Sequence, residues 1–203
     1  MLQTPVLSVG RPDELEGMLG LIPEVSSKIA AILIFAGNIE FRLERAIWRL
    51  QNHSPAGVRH ATDSQPIMKL IDMFEAEQVS LEDDILKQLI VYWCKTARIA
   101  FEFRHSIAHG LTSRIETDVL FHRNRSWQGE IRKRPSALLW GDSESLENIR
   151  QTFAVLLRVI SSVSNEKRPL ESLASPERLK ALQIVSSTMG EVASGHGPWF
   201  EKY

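Results

Sequence analysis

A single cysteine, Cys94, stands among the 203 residues, so no internal disulfide can form and a reducing compartment is expected. Charge of one sign is missing too. The 24 Lys and Arg nearly cancel the 25 Asp and Glu, leaving a net charge of −1. Nothing global therefore draws the chain to nucleic acid or to an anionic membrane, and any such binding needs a local patch. The longest apolar run, Ile29 to Gly37, falls well short of the roughly 20 residues that span a bilayer. The first residues lack a basic stretch followed by an apolar core, so no secretory signal is expected. There is no internal repeat, no low-complexity tract and no sequence-specific DNA-reading motif. These absences point to a cytoplasmic protein with no membrane partner. What is present is ordinary for a globular chain, 43% hydrophobic and 24% charged, and long enough to bury a core as one domain.

Residues 1–20 mix Pro5, Gly10, Pro12, Gly17 and Gly20 with scattered apolar residues and read as an arm. A long helix is expected from Pro23 to about Asn52, where Ile29, Ile32, Leu33, Ala36, Leu43, Ile47 and Leu50 recur at helical spacing. Glu40 interrupts that stripe at a position the pattern gives to an aliphatic side chain. A second seam of Ile34, Phe41 and Trp48, at seven-residue steps, occupies another face. Two seams on one helix suit packing within the domain and against a second copy, so a homodimer is expected.

A loop rich in turn formers follows, with His53, Pro55, Gly57, His60 and Asp63. Ser64 and Pro66 open a helix to about Gln78. Ser80 and Asp83 resemble a capping box at the start of another long helix. Beyond Leu111 the helical pattern stops. Val119-Leu120-Phe121 and Gly129-Glu130-Ile131 flank the turn-like Asn124-Arg125-Ser126, which predicts a short β-hairpin or irregular insertion around 115–140. Asp142 or Ser143 caps the next helix, and Ser175-Pro176-Glu177 opens a last one that ends near Gly190. Residues 195–203 read as a loose tail. The expected architecture is mainly α, an antiparallel bundle of about five helices with that small insertion.

Chemistry concentrates in residues 101–110, at the end of the long helix expected after Ser80. Arg104 is followed directly by His105, and His109 and Gly110 close the run. At about 100° per residue, His105 and His109 lie about 40° apart on one face with Glu102, and Ile99, Phe103 and Ile107 form the opposite, core-facing stripe. Arg104 sits at the edge of that stripe beside Ala97, Ala100 and Ala108, small residues that let another backbone approach. Arg104 and His109 are about 140° apart on a straight helix. They converge only where the helix ends near His109, an end that Gly110 suits, or where a second copy completes the site.

An arginine, a polar residue after it and a histidine a turn later, at a helix end with Ala108 and Gly110 around the histidine, resemble the signature motif of the HEPN superfamily of helical domains. The resemblance covers about residues 22–165 and leaves the arm and the tail outside. It implies a groove between paired subunits, lined by Arg104 and His109 of each, that cleaves RNA without a metal or other cofactor, often as a toxin or in phage defence. An antitoxin protein is then a partner to expect. In that chemistry a base takes the ribose 2′ proton, a cation meets the charge growing on phosphoryl oxygen, and an acid protonates the leaving oxygen. Arg104 offers the planar donor fork and His109 the proton transfer, with His105 and Glu40 assisting.

Two other readings stand beside it. Glu102, His105 and His109 share a face on which His-x3-His can ligate zinc with help from His53, His60 or His122, though Ser106 occupies the place of a protease-type glutamate. Alternatively, the motif is not catalytic: Arg104 pairs with Glu40, pins two helices together, and the protein is a dimeric binding or scaffold module. A basic stretch follows the motif, with Arg123, Arg125, Arg132, Lys133 and Arg134 around Trp127. Arginines interleaved with an aromatic suit RNA, through phosphate contact and base stacking, and they equally suit a solvated hairpin edge kept from aggregating by its charges.

Overall fold

The computed structural model describes residues 10–54, 56, 60–125, 128, 130 and 136–195. The elements are α1 (Pro12–Met18), α2 (Pro23–Leu50), α3 (Ile67–Ala76), α4 (Asp84–His109), β1 (Leu111–Ile115), β2 (Asp118–Arg123), β3 (Ala137–Gly141), α5 (Ser143–Val163) and α6 (Pro176–Gly195), with single 3₁₀ turns at Glu77–Ser80 and Leu170–Leu173. The chain is mainly α with a small antiparallel sheet of order β1-β2-β3.

Helix α4 is the axis of the molecule. It is buried on several sides at once, with Leu86, Leu89, Ile90, Trp93, Ala97, Ala100, Phe101, Phe103 and Ile107 all in the core. The Trp93 indole donates to Leu156 O at 3.0 Å and meets Phe74 edge-on at 5.3 Å, while Phe101 meets Phe153 at 5.3 Å. These pairings run α4 antiparallel to both α3 and α5. Each fully buried large side chain of this kind contributes about 1.5–3 kcal/mol. Arg98 adds a polar clasp to α3, reaching Asp72 at 2.8 Å and Glu75 at 2.6 Å. Cys94 lies inside the same packing, and burial pushes its thiol well up, which makes it an inert core residue.

Helices α2 and α5 run parallel. Lys28 reaches Ser143 at their first turns, at 2.6 Å to Oγ, and Arg49 reaches Val163 O at their last, at 2.6 Å. Ile32, Ala36, Ile39, Leu43, Ala46 and Ile47 make the inner stripe of α2.

Several boundaries differ from the sequence expectation for local reasons. A short helix, α1, forms inside residues 1–20 because Pro12 is pre-set for a first helical turn and Asp13 and Glu14 suit its N-terminal dipole. Gly20 then turns with φ +74° where any Cβ would come within 3.0 Å of Val119 Cγ2, which fits glycine alone. Asp83, not Ser80, caps α4, accepting from Leu86 N at 2.9 Å, while Ser80 Oγ bonds back to Glu77 O. Asp142 caps α5 in the same way, accepting from Ser145 N at 2.8 Å. Helix α6 continues past Gly190 to Gly195. The first reversal falls at Glu116-Thr117, pairing Ile115 with Asp118, and because β2 is also antiparallel to β3 the chain reverses a second time between Arg123 and Ala137, the stretch that Asn124-Arg125 begins. Glu116 adopts φ +54° there without the Asn-Gly signal that marks such turns. Gly129 and Ile131 lie outside the described residues, as does the tail beyond Gly195. Among the described residues no single helix is long and apolar enough to cross a membrane.

Candidate active site

The motif sits on the last turns of α4, and the helix does end at His109. Gly110 is extended, at φ −76° and ψ 145°, and its N–H closes the helix on Ser106 O at 2.8 Å. Glycine is required here by crowding, not by a left-handed turn. A Cβ would lie 2.4 Å from Ser106 O and 3.1 Å from Phe121 Cβ, because the chain passes directly into β1 beside β2. The sheet thus packs against the same end of α4 that carries the motif.

Arg104 is partly exposed, at 28%, and faces α2. Its Nη2 lies 3.7 Å from Glu40 Oε1, within ion-pair range but too long for a hydrogen bond. Its Nε is buried and has no hydrogen-bond partner among the described residues. Arg104 and His105 line one cavity of about 290 Å³, walled by Pro66, Ile67 and Met68 from the start of α3 and by Phe101. Glu102 and Arg123 complete the lining. His109 is exposed and does not line this cavity, but its ring lies 4.6 Å from that of His105, tilted by 58°. So the structure brings Arg104 together with Glu40 and with His105, and reaches His109 through His105.

The electrostatics of His105 are distinctive. Burial holds its imidazole below the ordinary value, the positive charges of Arg123, His109 and Arg104 push the same way, and Glu102 opposes them. Its neutral form is therefore favoured near pH 7. That is the form able to accept a proton.

The basic stretch divides. Arg123 is only 5% exposed and donates from Nη2 to Glu102 Oε2 at 2.9 Å, so it braces β2 against α4 instead of presenting its charge to solvent. Arg125 is exposed. Trp127, Arg132, Lys133 and Arg134 lie outside the described residues. His122 pairs with Ser136 Oγ at 2.6 Å, and burial, helped by Arg125, lowers its imidazole. The zinc reading finds no further ligand: His53 and His60 sit edge to face at 4.8 Å beside Trp48, and among the described residues no three His, Cys, Asp or Glu are grouped to hold a metal.

Sequence reasoning did not anticipate the Pro66-Ile67-Met68 wall, since nothing in that segment marks which helix end it will face. The Arg123–Glu102 pair was equally hidden. Comparison with family models, with curated proteins and with solved structures finds no match.

Proposed function

We propose that the protein is a metal-independent endoribonuclease of the kind its motif resembles. The observation that carries this reading is the shared cavity of Arg104 and His105, with the His109 ring tilted against that of His105 just outside it. Arg104 is held loosely enough by Glu40 to turn its donors to a phosphate, and the donor demand of its buried Nε is unmet among the described residues. His105, held neutral, accepts the ribose 2′ proton as the 2′ oxygen attacks phosphorus. His109, open to solvent, returns a proton to the departing 5′ oxygen, leaving a 2′,3′-cyclic phosphate. Because His105 must be unprotonated, the acid limb of the pH–rate profile is expected below pH 6.5, the ordinary histidine value. Rates measured on a dinucleotide across pH 4.5–8 test this, and an acid limb above 6.5 would remove His105 from the base role.

The face of α2 opposite the core supports pairing of two copies. Ile34 and Phe41 are 62% and 60% exposed on it, next to small Ala30 and Gly37. Ile34→Glu is expected to halve the mass measured by light scattering; an unchanged mass would place any dimer elsewhere. A cytoplasmic toxin or phage-defence role, with an antitoxin as partner, follows from the resemblance alone.

One observation favours a second, non-catalytic reading as a scaffold. The Arg104–Glu40 ion pair joins α4 to α2 and gives Arg104 a use that needs no substrate. The two readings part on Arg104→Ala, which under the second lowers melting temperature or splits the dimer while wild-type protein leaves RNA intact.

A further inference from the structure

A second cavity, of about 420 Å³, opens where α2 and α5 both end. Arg42, Arg45 and Lys167 line it, and none of the three has a carboxylate within ion-pair distance among the described residues. Glu166 is the one carboxylate in the lining, so three cations against one anion leave two positive charges in excess. Two cationic side chains and an aromatic come from one stripe of α2. Arg42, Arg45 and Trp48 follow each other at three-residue steps, each about 60° round the helix from the last.

Trp48 is a fixed wall. Its Nε1 donates to the buried Thr62 Oγ1 at 2.9 Å, and the His60 ring packs against it at 4.2 Å. With its polar edge satisfied internally, what the indole offers the cavity is π surface. Arg45 stacks over Phe41 at 4.5 Å, a geometry that orients the guanidinium while leaving its in-plane N–H groups for a ligand. Helix C-termini carry about half a negative charge and would repel an anion. Here Arg49 reaches across the end of α5 and donates to Val163 O at 2.6 Å and to Arg168 O, which offsets that end.

We propose that this cavity binds a nucleotide, its phosphate held by Arg42, Arg45 and Lys167 and its base laid on Trp48. The volume suits a small ligand of about that size. The same chemistry is presented by a free mononucleotide and by one nucleotide of a single strand. The site is separate from the Arg104 cavity and does not depend on the ribonuclease reading.

Calorimetry of the full chain with AMP, and with a short single-stranded oligodeoxynucleotide that lacks the 2′ hydroxyl, tests this. Arg45→Ala and Lys167→Ala, both surface changes, are each expected to weaken binding about tenfold, and Trp48→Leu by roughly five- to a hundredfold through lost stacking. Trp48→Phe, which keeps an aromatic wall, retains most of the affinity and guards against a folding artefact. Binding of AMP assigns the site to free nucleotide; binding of the oligonucleotide alone assigns it to a strand. The proposal is overturned if neither probe binds, if Arg45→Ala and Lys167→Ala bind as wild type does, or if inorganic phosphate competes as tightly as AMP.

Discussion

On the proposed ribonuclease reading, alanine at His105 is expected to lower RNA cleavage by about a hundred- to ten-thousandfold, the usual contribution of a positioned proton-transfer group, and to leave the protein folded. His105 is half-buried on the cavity side of α4, so its removal opens space without unpairing a buried charge. Arg104→Ala is expected to have a comparable effect on rate, about a hundred- to a thousandfold, through lost stabilisation of phosphoryl charge. Its cost in stability is small. The Arg104–Glu40 contact is 3.7 Å long, with both side chains more than a quarter exposed, and such pairs are worth about 0–1 kcal/mol. A large loss of rate with a small loss of stability is what separates catalysis from the scaffold reading, in which the proportions reverse. Single-turnover cleavage rates beside thermal melts of the same two variants make the comparison. A rate within threefold of wild type for both would remove these side chains from the chemistry.

Arg123→Ala is expected to act in the opposite way. The guanidinium is 5% exposed and 2.9 Å from Glu102, which is itself only 27% exposed. Removing it strips a mostly buried carboxylate of that cation, at a cost of roughly 3 kcal/mol. For a chain of this size that is a fall in melting temperature of roughly 6–12 °C. The same substitution leaves the salt dependence of RNA binding unchanged, because a buried, paired arginine displaces no counterions from phosphate. Arg125, exposed two residues on, is the one of the pair whose loss is expected to flatten that dependence. Melting curves and binding titrations at several salt concentrations check both halves. If Arg123→Ala melts like wild type and weakens RNA binding, the brace between β2 and α4 is not its role.

Much of the helical frame was legible because its cause is local. The 3.6-residue spacing of Ile32, Ala36, Leu43 and Ile47 is a property of α2 itself, and the carboxylate cap at Asp142 is as local, whereas at α4 the sequence pointed to Ser80 and the cap is Asp83. What depended on partners was not legible. The hairpin turn at Glu116-Thr117 carries no turn residue in its positive-φ position, so only the pairing of β1 with β2 reveals it. Arg123 reads as one more charge in a basic stretch until Glu102 is seen 21 residues earlier on α4, across the space that β2 crosses. Within the motif, spacing alone placed His105 beside His109, and the structure holds their rings at 4.6 Å. Spacing could not supply the Pro66–Met68 wall that turns an exposed helix edge into a cavity. The Arg42-Arg45-Trp48 stripe was present in the sequence at plain three-residue steps. It went unremarked because Trp48 also fits an apolar seam, and only Lys167 from beyond α5 makes the cavity basic.

The most direct test is the simplest. Wild-type protein dialysed against EDTA is incubated with an unstructured RNA, and the ends of the products are identified. Fragments bearing 2′,3′-cyclic phosphate and 5′ hydroxyl groups are the predicted result, undiminished by the chelator. RNA that stays intact, or cutting that stops with EDTA and returns with zinc, would contradict the assignment of this chemistry to Arg104, His105 and His109.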